Sequence, residues 1–160
     1  EYAHAHDRSK LSPYELGIRT PMFVRWPGKV KPQRDDETLA HILDFPKTIL
    51  DITGAENPGD LKGLNLMDQK ALKARDTVFV EAYTHDIADL KDPSKSLIAD
   101  VVIEGWWKLI VPGPVKPDRK FSGVPATTVL YDLKNDPLEK NDLAAKNPEI
   151  VAKLKAKLKK

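Results

Sequence analysis

Leu97-Ile98-Ala99-Asp100-Val101-Val102-Ile103-Glu104-Gly105-Trp106-Trp107-Lys108-Leu109-Ile110-Val111 is the stretch whose reading decides the fold. Two apolar runs rich in β-branched residues, Leu97 to Ile103 and Trp106 to Val111, meet at the tight joint Glu104-Gly105. Runs of that length bounded by turn formers read as paired strands. Thr77 to Tyr83 before them and Thr127 to Leu133 after them have the same character. Three or four short strands on tight connections predict an antiparallel meander. Further on, Asn147 and Pro148 precede Ile150, Leu154 and Leu158. That is a helix with an asparagine cap, proline at its first position and one apolar stripe to lay on the sheet. The lysines at 153, 155, 157, 159 and 160 read as a solvated helix end, where the helix dipole favours cations.

Working back toward the N-terminus, Met22-Phe23-Val24-Arg25-Trp26 lies between Pro21 and Pro27-Gly28 and predicts a buried strand. Residues 38–53 carry helical spacing in Leu39, Ile42, Leu43, Ile49, Leu50 and Ile52. Asp44 before Phe45-Pro46 is the expected N-cap and Gly54 the expected left-handed stop. A strand followed by a helix suits the edge of an α/β sheet. Residues 55–75 read as loop with one short helical turn. The expected organisation is α/β overall and α+β in this chain. Residues 1–75 would end a large α/β domain, and 76–160 would form a small antiparallel subdomain of about four strands packed on a C-terminal helix.

Composition narrows the function classes. The 160 residues are 41% hydrophobic and 31% charged, enough for a real core in an ordered chain. The 26 basic and 24 acidic side chains leave a formal charge of only +2, without the basic excess or stripe of a nucleic-acid binder. No run approaches the roughly 20 apolar residues that cross a bilayer, so neither nucleic acid nor membrane is an expected partner. Cysteine is absent, which removes disulfides, thiolate zinc sites and a cysteine nucleophile from this chain. The sequence opens at Glu1 in mid-loop without methionine or a signal segment, and is expected to be a piece of a longer protein.

Four segments, in order, carry a family resemblance. Lys10-Leu-Ser-Pro-Tyr14-Glu15-Leu16-Gly17-Ile18-Arg19-Thr-Pro21, then an apolar run and Trp26-Pro27-Gly28, resembles the second signature of the sulfatases of the alkaline-phosphatase-like superfamily. Asp44-Phe-Pro-Lys-Thr-Ile-Leu-Asp-Ile-Thr-Gly54 is similar to their Asp-x-Pro-Thr-x-Leu-x-x-x-Gly helix, with Lys47 inserted. Gly105-Trp-Trp-Lys-Leu-Ile110 resembles their Gly-x-Trp-Lys-Leu-Ile strand. Leu130-Tyr-Asp-Leu133 with Asp136-Pro-Leu-Glu-Lys-Asn-Asp-Leu143 resembles their closing motif. Two family elements are not in the chain: the Cys/Ser-x-Pro-x-Arg sequence that becomes formylglycine, and the Asp-Asn-Gly that supplies metal ligands. Leu16 also replaces the first glycine of the usual Glu-Gly-Gly.

The resemblance implies the C-terminal portion of a bacterial, arylsulfatase-like sulfuric ester hydrolase, inactive by itself. In the parent, a hydrated formylglycine would attack sulfur, with calcium and lysines stabilising the sulfate oxygens. Lys10 aligns with the sulfate-contacting lysine and is the expected catalytic residue, because a compact cation with three donors suits a sulfate. Glu15 and Arg19 are expected to brace the loop as an ion pair rather than touch substrate, and Tyr14 to pack.

His4, His6 and Asp7 have a spacing that a metal pair could use, since alternate residues of an extended segment face one side. A pocket rim or plain surface loop fits better, so His6 is a candidate substrate contact and no metal ligand is assigned. His85-Asp86 directly follows a strand, where loops carry binding groups. His85 is a second candidate substrate contact, against the alternative of a hydrogen-bonded loop histidine. Trp106 and Trp107 should alternate across a strand, one core and one semi-exposed.

The expected partners are a sulfated small molecule or glycan and the preceding catalytic portion. By resemblance the setting is periplasmic or secreted. Two other readings are a phosphoryl or phosphonate hydrolase of the same superfamily and a non-catalytic binding or structural module. The lysine-tyrosine-glutamate segment argues for the sulfatase.

Overall fold

A computed structural model describes residues 8–9, 11–57, 59, 61–115 and 123–158. In chain order its elements are α1 (Glu15–Ile18), α2 (Asp44–Thr53), α3 (Gln69–Ala74), β1 (Thr77–Tyr83), β2 (Leu97–Glu104), β3 (Trp107–Pro112), β4 (Val129–Asp132) and α4 (Pro148–Lys157), with short 3-10 turns at Pro93–Ser96 and Ala144–Lys146. The chain forms two compact units, one of Glu1–Met22 with Phe79–Lys160 and the other of Phe23–Val78.

The first unit is built on one sheet in the order β1-β2-β3-β4. The strands pair as the meander predicts. β2 and β3 run antiparallel from Ala99 opposite Pro112 to Glu104 opposite Trp107, which leaves Gly105 and Trp106 as the connection. β3 and β4 pair antiparallel from Trp107 opposite Asp132 to Ile110 opposite Val129. Because side chains alternate across a strand, each run contributes to two cores. Ala99, Val101, Ile110 and Tyr131 gather on one face, where Tyr14 and Ile18 pack on them. Val102, Leu109 and Leu130 gather on the other with Leu154, and Ile150 and Leu158 flank them, so the expected α4 stripe lies on the sheet. Trp106 and Trp107 are both half-buried, on opposite faces. Glu104 clamps α4 further by pairing with Lys153 at 2.7 Å and with Lys157; the two ammonium groups hold its carboxyl below the usual range.

The second unit holds α2 and α3. Gly54 ends α2 in the left-handed region, as read from sequence, with φ of 68°. Asp44 does something other than cap. It is the first helical residue, and Leu43 occupies the cap position without a side-chain bond. The buried Asp44 carboxylate accepts N–H bonds from His41 (2.7 Å) and Leu64 (2.8 Å), and the Arg75 guanidinium forks onto its two oxygens at 2.6 and 2.7 Å. Burial alone would push the Asp44 carboxyl up; the Arg75 fork and the two N–H donors overcome that and hold it below its usual range. Thr48 extends the same anchor, donating to Asp44 O at 2.6 Å and accepting from Leu66 N at 2.7 Å.

Met22 to Trp26 differs from expectation. Among the described residues it belongs to no strand, and Phe23 is 87% exposed. A strand exists only through a neighbour's ladder bonds, and an apolar run without such a neighbour stays irregular.

Candidate functional site: charges buried beneath the signature segment

Lys108 lies in the apolar run of β3, opposite Ile103 on β2 and Tyr131 on β4. Its position places it on the face that carries Ile110 and Tyr131, and it is fully buried. An ammonium removed from water costs several kcal/mol unless it is paired and hydrogen-bonded, and Lys108 has two carboxylates. Its Nζ donates to Glu15 Oε1 at 2.9 Å and lies 2.8 Å from Glu139 Oε1. The second contact is an ion pair as short as the first. Glu139 Oε2 accepts the Glu15 backbone N–H at 2.6 Å. Glu15, 93 residues before Lys108, and Glu139, 31 after it, thus meet on one cation.

Each partner is placed by local chemistry. Asp132 and Asp136 build consecutive turns: Asp132 accepts from Lys134 N (3.1 Å) and Asn135 Nδ2 (2.6 Å), and Asp136 from Asn141 N (2.7 Å). Within the second turn Glu139 is held in the left-handed region at φ 53°, a conformation that costs a non-glycine residue about 1 kcal/mol and persists only where surroundings impose it. Asp142 then secures the return by accepting from Leu130 N at 3.0 Å. Burial pushes the Glu139 carboxyl up, against the pull of Lys108.

On the other side, Tyr14 is buried, its ring 6.1 Å from that of Tyr131. The Arg8 guanidinium sits 4.2 Å over the Tyr14 ring and donates to Glu139 O at 2.6 Å. Desolvation pushes the Tyr14 and Tyr131 hydroxyls up. The expected Glu15–Arg19 pair is present at 3.6 Å with Arg19 more than half exposed, a geometry that contributes little. Lys108, rather than Arg19, is the principal partner of Glu15.

Gly17 explains which glycine the motif needs. A Cβ at Gly17 would lie 2.3 Å from the carbonyl oxygens of both Ser9 and Ser12, so the turn closed by Ser12 N on Ser9 O at 3.0 Å rests directly on its Cα. Leu16 points away, 57% exposed in ordinary helical geometry, and its position demands no glycine.

Of the expected site residues, Lys10 and His6, with His4 and Asp7, lie outside the described residues. His85 is on the loop after β1 with its side chain 75% exposed, and its Nδ1 is 3.4 Å from Asp86 Oδ1. It stands apart from the buried cluster. Among the described residues no three His, Asp or Glu side chains gather as a metal site. Lys108 and Glu139 carry no role in the sequence reading. The signal was a single charge within Trp107-Lys108-Leu109-Ile110, which alternation assigns to a buried face.

One unit thus carries a sheet with a helix on one face and the signature turn locked to the other by buried charge. The chain belongs to the family described as N-sulphoglucosamine sulphohydrolase, C-terminal, whose model matches residues 6–160. It is 29% identical over 153 residues to an N-acetylgalactosamine-6-O-sulfatase of Bacteroides thetaiotaomicron, covering 91% of this chain and 27% of that protein. It is 26% identical over 177 residues to an ulvan-active sulfatase of Formosa agariphila, covering 92% and 28%. A solved chain from work on glycosaminoglycan metabolism by Bacteroides thetaiotaomicron superposes with TM-score 0.66 at 28% identity, covering 93% of this chain and 30% of that one. The chain thus spans under a third of these relatives and corresponds to their C-terminal portion.

Proposed function

We propose that this chain is the C-terminal portion of a sulfatase that hydrolyses sulfate esters of a glycan or a sulfated small molecule, and that it is inactive alone. The carrying observation is that three separated family segments meet in one buried cluster, Glu15 from the signature, Lys108 from β3 and Glu139 from the closing motif. Lys10 belongs to that signature and contacts the transferring sulfate, its ammonium stabilising charge that grows on the oxygens. His85, exposed at the end of β1, and His6 contact the substrate outside the sulfate. Formylglycine and calcium, supplied by the preceding portion, would provide the nucleophile and the Lewis acid.

The second unit supports the missing-portion reading. Phe23, Ile42, Ile49 and Ile52 are all large, apolar and exposed, and Phe23, Phe45, Ile49 and Leu66 line a shallow apolar hollow. Apolar surface of this kind marks an interaction face, here for the preceding large domain. A periplasmic or secreted setting fits a partial relative in Caenorhabditis elegans described as a putative extracellular sulfatase, 31% identical over 86 residues. No helix among the described residues is long and apolar enough to cross a membrane.

The test uses 4-nitrophenyl sulfate with the longer protein and with the 160-residue chain. The chain alone should not turn over. In the longer protein Lys10→Ala should lower kcat about a hundredfold, the usual effect of losing one preorganised donor. Near-normal turnover of that variant would reject Lys10 as the sulfate contact.

A further inference from the structure

We propose that Lys108 and Glu139 are positioning residues for sulfate hydrolysis: their buried contact with Glu15 holds α1, and through Gly17 the turn that Ser12 N closes on Ser9 O. The inference rests on the sulfatase reading above and names residues that reading leaves without a role.

A four-residue helix has no stability of its own, so α1 keeps its place only through what it touches. A cluster of apolar side chains would hold it more cheaply, since buried charges lose several kcal/mol of hydration each. What charges add is a defined geometry. Glu15 is held at its side chain by Lys108 and at its backbone N–H by Glu139, which ties the first turn of α1 at two points. Two residues later Gly17 takes the weight of the 9–12 turn, with no room for even a methyl group. Leu11 within that turn is left-handed at φ 65°, as is Glu139 at 53°. Left-handed non-glycine residues at both ends of one chain of contacts are what an over-determined functional segment looks like. The line from Lys108 through Glu15 and Gly17 to the residues on either side of position 10 is continuous, and a shift of about 1 Å at a reacting group can cost a hundredfold in rate.

Glu139→Gln keeps the side-chain shape but removes the charge beside Lys108: with its one amide oxygen accepting from Glu15 N–H, it turns its NH2 donor toward the ammonium. In the longer protein, with 4-nitrophenyl sulfate, kcat should fall about tenfold with KM within about twofold, measured far below the melting temperature. Lys108→Met should act alike and Lys108→Arg should recover part of the loss. The deciding measurement is a double-variant cycle. If Glu139 acts through Lys10, Glu139→Gln should cost nothing further once Lys10→Ala is present. An equal kcat loss in both backgrounds, or a lowered melting temperature with unchanged kcat, overturns the positioning role and leaves the sulfatase reading standing. A silent Lys10→Ala overturns the positioning role and rejects Lys10 as the sulfate contact, whereas absence of sulfate-ester turnover by the unsubstituted longer protein overturns the sulfatase reading itself.

Discussion

The two units solve the same packing problem to different degrees. The sheet unit closes both of its faces: Tyr14 and Ile18 cover one and the α4 stripe the other, leaving Val101, Val102, Leu109, Ile110 and Leu130 without solvent exposure. The unit of Phe23–Val78 is well tied around Asp44 yet leaves Phe23, Ile42, Ile49 and Ile52 in water. Its polar anchor is complete and its apolar layer is not. Hydrogen bonds and ion pairs are satisfied locally by a few residues, whereas burial of an apolar face needs a second layer. That contrast supports the proposal that a further layer covers the open face.

The largest effect expected is at the sheet unit's charge cluster. Lys108→Ala leaves two carboxylates buried without their cation and should cost about 3–5 kcal/mol in urea unfolding. A loss below about 1 kcal/mol would mean that water reaches the pair. Leu154→Ala opens a cavity beneath α4 and should cost about 2–4 kcal/mol; a melting temperature within a degree or two of the parent would mean that α4 does not close that face.

A smaller effect separates the units by sign. Asp44 is held below its ordinary value of 3.8, so its stabilisation is complete above that pH and lost as pH falls through the folded value. Glu139 is raised from 4.5, so its contribution is complete below that pH and lost as pH rises through the folded value. Asp44→Asn should flatten the acid limb of the urea midpoint against pH, and Glu139→Gln the limb above it. Parallel curves for parent and both variants from about pH 3 to about pH 7 would contradict this assignment.

The smallest effect should fall on the open face. Ile49→Ser with Ile52→Ser should change the stability of the 160-residue chain by less than about 0.5 kcal/mol, as exposed positions do, and raise its solubility. The same pair in the longer protein should lower the melting temperature by several degrees. Equal effects in both would remove the contrast between the units.

Much of the sheet unit was legible because its information is local. Runs of β-branched residues, the Glu104-Gly105 joint and the Asn147-Pro148 start each act within a few residues, and the strands and α4 fall where those signals lie. Tyr14 was legible as packing, and Gly54 as a helix stop. Met22 to Trp26 was not, because composition shows that a run is apolar but not whether a neighbouring strand is there to pair with it. Asp44 looked like a cap since the sequence around it shows only the helix start; Arg75, 31 residues on, gives it a different task.

By itself, then, the amino-acid order determined the strands of the meander and α4, the two faces of the sheet, the sulfatase resemblance and the expectation that a cation at position 10 serves the sulfate. The tertiary structure decided the partner of Glu15. Sequence spacing offered Arg19 four residues away, while folding supplied Lys108 at 2.9 Å from 93 residues away. The physical reason is desolvation: an exposed neighbour gains little from pairing in water, but a lysine buried in a strand must find carboxylates, and only the folded chain brings Glu15 and Glu139 to it.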